Sequence, residues 1–66
     1  MPKVPNLKRV RESRFLTQQD LSERSGVSRP TIARLESPGD EARLTTVRKL
    51  AEALGVNPAE LTGDHR

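Results

Sequence analysis

The sequence predicts an all-α fold, a compact globule of five short helices. Three observations carry this. Apolar residues recur three and four apart rather than alternating as in a strand. Glycine and proline punctuate the chain where helices end and begin, and Ser, Thr or Asn stands at three of the expected starts. At 66 residues the chain forms one domain at most.

The elements follow in order. Leu7 and Val10 hold one face of a first helix that ends around Ser13 and Arg14. Pro5 fits its first turn, where a missing N–H costs nothing. Thr17 caps a second helix from Gln18 to about Ser25, with Asp20 at the capping-box position and Leu21 inward. Gly26 stops it by taking the left-handed conformation cheaply. Val27 is a buried connector, and Ser28 caps a third helix with Ile32 and Leu35 inward and Pro30 in its first turn. Pro38-Gly39 ends that helix as a tight turn. A fourth helix runs from about Thr45 to Leu54, its stripe being Val47, Leu50, Ala51 and Leu54, and Gly55 terminates it. Asn57, Pro58 and Glu60 read as cap, first position and capping-box partner of a last short helix that buries Leu61.

Content excludes several function classes. No cysteine is present, so neither disulfides nor thiolate metal sites are available, and the single histidine, His65, has no partner at ligand spacing. No metal or cofactor is expected. There is no nucleophile–base constellation and no phosphate-cradling glycine loop. A chain this short is not expected to hold a ligand pocket of a few hundred cubic ångströms, so neither an enzyme nor a small-molecule binder is expected. No apolar stretch approaches the roughly 18 residues of a membrane span, and no signal-peptide pattern opens the chain, so the expectation is a cytoplasmic protein without membrane contact.

Charge is uneven along the chain. Residues 1–34 carry eight basic against three acidic side chains, whereas residues 35–66 carry four against six. Such asymmetry suits a first half that faces a polyanion, although basic side chains also solvate ordinary helix surfaces.

The informative stretch is 17–36: helix, glycine turn, helix. Two short helices joined through Gly26-Val27 cross steeply, as a DNA-reading helix-turn-helix requires. With Ile32 and Leu35 inward, Arg29, Pro30, Ala33 and Arg34 share the outward face of the second helix. Arginine can bind guanine bidentately, and Pro or Ala can touch a thymine methyl.

Leu7 through Leu61 resembles the phage-repressor/Cro, or XRE, class of helix-turn-helix proteins, with the lambda-repressor-like fold. The resemblance rests on Arg11, Thr17-Gln18, Leu21, Gly26-Val27-Ser28, Ile32, Leu35-Glu36, Leu50-Ala51 and Ala53-Leu54-Gly55-Val56, taken together in order and spacing. It implies a DNA-binding domain over 4–62, with the helix-turn-helix unit at 17–36, recognition helix at 28–36, and flexible ends at 1–3 and 63–66. It places Arg29, Pro30, Ala33 and Arg34 at base-reading positions. Gln18 is implied to contact phosphate and brace the first recognition residue, with Thr17, Ser28, Thr31, Arg11, Arg14 and Arg43 as further phosphate contacts. Arg11 and Glu36 match a partly buried ion pair, which can coexist with a phosphate contact by Arg11.

Three features depart from the class. Ser22 stands where Ala is usual. Phe15 stands where glycine is common and is expected to pack half-buried. Gly39-Asp40-Glu41-Ala42 is acidic where relatives often carry basic residues, leaving Arg43 to grip the backbone there.

The implied function is sequence-specific binding of double-stranded DNA by a small transcriptional regulator, a repressor or a phage or restriction–modification control protein. A homodimer would act on a two-fold symmetric operator, meeting around Val56, Asn57 and Pro58 and the loop near Pro38, with no large apolar patch expected there. The alternative is an antitoxin module with a protein partner as well as operator DNA. The few residues after Leu61 speak against that alternative, since covering a toxin takes a substantial extra segment.

Overall fold

The computed structural model describes residues 2–38 and 40–63. Among them lie α1 (Leu7–Ser13), α2 (Gln18–Ser25), α3 (Arg29–Leu35), α4 (Leu44–Leu54) and α5 (Pro58–Thr62). Gly39 of the expected turn, His65 and the end at 64–66 lie outside the described residues.

Local chemistry sets most boundaries. Thr17 Oγ1 accepts from the Asp20 N–H at 3.0 Å, and the Asp20 carboxylate accepts the Thr17 N–H at 3.0 Å. This reciprocal box satisfies two donors that a helix start otherwise leaves unpaired. The bonds from Thr17, backbone first and then hydroxyl, hold the Asp20 carboxyl below its ordinary value. Gly26 closes α2 at φ 76°, with its N–H donating to the Ser22 carbonyl. Ser28 caps α3, and Pro30 sits in the first turn, where no intrahelical N–H is needed. Asn57 precedes α5, its N–H donating to Glu60 Oε2 at 3.2 Å.

Packing places α2 against α3 and α4, and α5 against α1 and α4. Leu7, Leu21, Ile32, Leu50, Leu61, Val4 and Val47 are the largest fully buried side chains. Every residue read as inward from periodicity is in this core. Within the helix-turn-helix, α4 backs α2, and α2 in turn packs on α3.

The structure corrects four expectations. Pro5 lies in a turn before α1 rather than inside it, because the Leu7 N–H bonds back to the Val4 carbonyl at 3.1 Å and the helix starts after Asn6. Pro2 and Lys3, expected in a flexible end, are paired. The Ala42 N–H donates to the Pro2 carbonyl at 2.8 Å, and Lys3 forms an antiparallel bridge with Glu41. Burial of Val4 beside them anchors this segment, and Asn6 ties it to α5 through the Leu61 and Glu60 carbonyls. Third, α4 starts at Leu44, one residue early, because Arg43 takes the extended N-cap conformation.

The fourth concerns Phe15. It is 95% exposed, not half-buried, and adopts φ 58°. The end of α1 explains why. The Leu16 N–H reaches back to the Arg11 carbonyl and the Phe15 N–H to Glu12, which places Phe15 at the left-handed position of a helix-ending turn. There the side chain points away from the core. A Cβ-bearing residue in this conformation costs roughly 1–2 kcal/mol relative to a right-handed one.

Candidate nucleic-acid interface

Alternation of buried and exposed positions gives α3 two faces. Ile32 and Leu35 are 0% and 2% exposed, whereas Arg29, Pro30, Ala33 and Arg34 all lie on the solvent side. Thr31 is half-buried at the edge, its hydroxyl 2.7 Å from Ser28 Oγ. Ser28 Oγ also accepts the Thr31 N–H at 3.4 Å, so these two hydroxyls fix the start of the helix.

Two shallow depressions flank this face. One is lined by Phe15, Thr17, Gln18, Gln19 and Arg29, together with the α1 end. The other brings Thr31 and Arg34 together with Arg43 and Thr46 at the start of α4. Tertiary packing thus gathers residues from four helices beside one exposed surface. Arg14 is exposed in the turn after α1 and lines neither depression.

Behind the face lies a buried polar network. Arg11 Nε and Nη2 donate to the two Glu36 carboxylate oxygens at 2.6 and 3.1 Å. Arg11 Nη1 donates to the Leu16 carbonyl at 2.6 Å, and Gln18 Nε2 donates to Glu36 Oε1 at 3.0 Å. The side chains of the pair are 9% and 6% exposed. Burial alone pushes the Glu36 carboxyl up, but the hydrogen bonds from Arg11 and Gln18 outweigh it and hold the group below its ordinary value. The same bond to Glu36 raises the Arg11 guanidinium above its own. One carboxylate thereby joins α1, the start of α2 and the end of α3.

This network bears on two expected roles. Gln18 braces Glu36, at the far end of the recognition helix, instead of the first recognition residue. Arg11 directs three N–H groups inward, which gives it a structural role beside the expected phosphate contact, for which two of its five N–H groups remain. The ion pair itself is present as expected. What spacing did not reveal is the third member, Gln18, and the exposed ring of Phe15. A phenylalanine in a glycine-favoured position was the available signal for the latter.

Elsewhere, an open groove of about 790 Å³ is lined by Pro5, Leu44, Pro58 and Ala59, among others. It is an open surface groove rather than an enclosed ligand pocket, and it supplies apolar surface next to Pro58. No group of three or more His, Cys, Asp or Glu placed to hold a metal occurs among the described residues, and none of their helices is long and apolar enough to cross a membrane.

Comparison with known proteins agrees with this geometry. A family model described as helix-turn-helix matches residues 7–61. The uncharacterized HTH-type transcriptional regulator y4dJ of Sinorhizobium fredii is 38% identical over 56 residues, which span 85% of this chain and 73% of that protein. The crystal structure of the restriction-modification controller protein C.AhdI from Aeromonas hydrophila superposes with a TM-score of 0.79 at 32% identity, over 85% of each chain.

Proposed function

The chain belongs to the Cro/C1-type helix-turn-helix family of DNA-binding transcriptional regulators, and from that premise we propose that α3 enters the major groove and reads base edges with Arg29, Pro30, Ala33 and Arg34. One observation carries this assignment: these four side chains are all exposed on one face, while Ile32 and Leu35 lock the opposite face into the core. A helix so anchored presents its arginines at fixed reach. Arg34 lies a full turn in, and its neighbour Leu35 is buried, so it is the stronger base-reading candidate. Arg29 directly follows the cap.

Backbone phosphates are received at the margins, by Thr17, Gln18, Ser28, Thr31, Arg14 and Arg43. Dimers of such domains bind half-sites roughly 34–36 Å apart on one side of the duplex. The apolar groove beside Pro58 supports a homodimer on a two-fold symmetric operator. The protein works as a cytoplasmic regulator that binds DNA and catalyses nothing, and its similarity to a restriction-modification controller protein supports a control role.

The test begins by selecting an operator from random duplexes, then comparing variants on operator and scrambled DNA at one salt concentration. A bidentate arginine–guanine contact discriminates by roughly 1–3 kcal/mol, whereas phosphate contacts carry no sequence information. Arg34→Ala should weaken the operator and spare scrambled DNA, and Arg43→Ala should weaken both alike. Log K should also fall linearly with log salt, by roughly 0.9 per phosphate neutralised. Equal loss on both duplexes for Arg34→Ala would put a different face of α3 in the groove.

A further inference from the structure

Phe15 combines two unfavourable features: the turn that ends α1 imposes both, but neither that turn nor the core requires an aromatic ring there. Its ring is 95% exposed, and its backbone holds φ 58°, which glycine would adopt without strain. The core gains nothing from the ring, and the turn after α1 would close equally well with glycine. Strained positions of this kind concentrate where a ligand is gripped.

The surroundings indicate which ligand. Phe15 lines the same depression as Thr17, Gln18 and Arg29, so the ring is continuous with the face assigned to DNA. Arg29 in its lining and Arg14, exposed next to Phe15 in the chain but outside the lining, supply positive charge at that margin, while Glu12 also lines it. Within a duplex, base faces are stacked and hidden, and the groove floor is taken by α3. The apolar groups open to a residue at this margin are the C–H faces of the deoxyribose rings, which alternate with phosphates along the strand. Basic side chains beside an apolar ring match that alternation.

We propose that Phe15 is a DNA-backbone contact, packing its ring on a deoxyribose of the strand that borders the groove entered by α3. The contact is apolar and independent of sequence, so it adds affinity and register but no base preference. It rests on the assignment of the α3 face to DNA.

Two measurements test it. Phe15 is the only phenylalanine of the chain, so uniform 4-fluorophenylalanine labelling gives a single fluorine resonance. On addition of the selected operator duplex that resonance should move, and its shift between H2O and D2O should shrink as the ring leaves water. A ring that stays equally hydrated on saturating DNA overturns the proposal. So does a resonance that moves with protein concentration before any DNA is added, which would mean that a second copy covers the ring.

The second measurement is Phe15→Gly. Its melting temperature should equal or exceed that of the parent, because glycine relieves the backbone. Its affinity should fall roughly tenfold on operator and scrambled duplexes alike, as expected for partial burial of one aromatic ring. The salt slope should not change, since no charge is lost. Unchanged affinity for Phe15→Gly, with Arg34→Ala still impaired, refutes the Phe15 contact and leaves the DNA face standing. Unchanged affinity for both variants refutes the DNA face, and the Phe15 contact falls with it.

Discussion

Truncating Glu36 to alanine removes the acceptor of three hydrogen bonds, two from Arg11 and one from Gln18. The Arg11 side chain is only 9% exposed, so its charge would be left in the interior with the Leu16 carbonyl as its one remaining partner. Breaking a buried pair from one side costs about 3–5 kcal/mol. The retained Leu16 bond and the nearness of the surface put this case at the lower end, about 3 kcal/mol. A domain of this length has roughly 3–10 kcal/mol in total. For domains of 60–100 residues each kcal/mol lowers the melting temperature by about 4–8 °C, so Glu36→Ala should melt roughly 12–24 °C below the parent. Thermal unfolding followed by far-ultraviolet circular dichroism reads this directly. The double variant Arg11→Met/Glu36→Leu should recover part of the loss, because it strands no charge. A Glu36→Ala melt within about 3 °C of the parent would show that water already satisfies the pair and that its burial stabilises nothing.

Acid should unfold the domain partly through the same carboxylate. Glu36 and Asp20 are both held below their ordinary values. Their contributions are therefore complete above the unfolded carboxyl range, near pH 4, and are lost as pH falls through the lower folded values. Melting temperature should drop progressively below about pH 4, and Glu36→Gln should flatten that decline; an equally steep decline in Glu36→Gln would remove Glu36 from the explanation. At Gly26, φ is 76° and nothing lies within 4 Å of an added Cβ, so Gly26→Ala tests backbone strain alone. It should cost about 1–2 kcal/mol in urea unfolding with an unchanged m-value, and a neutral result would mean that the turn relaxes out of the left-handed region.

Sequence alone determined the helices and their inward faces, because the responsible interactions span three or four residues. Thr17 with Asp20, Ser28 with Thr31, and the left-handed Gly26 and Gly55 are local choices that short-range chemistry dictates. Exposure of Arg29, Pro30, Ala33 and Arg34 followed from the same periodicity, with Ile32 and Leu35 as its counterpart. The Arg11–Glu36 pair, 25 residues apart, was reachable only through resemblance to a family, since no local rule joins those positions.

Tertiary structure decided the rest. Gln18 could bond either way from the start of α2, and the close approach of the α3 end selected Glu36. Pairing of Pro2 and Lys3 with Glu41 and Ala42 depends on burial of Val4, a contact that periodicity in a segment without helix cannot reveal. Phe15 is the clearest case. Hydrophobicity favours burying it, but the turn that ends α1 and aims Arg11 at Glu36 sets its backbone, and the ring must point where that turn sends it. A residue's own preference is small beside the geometry that its neighbours impose from across the fold.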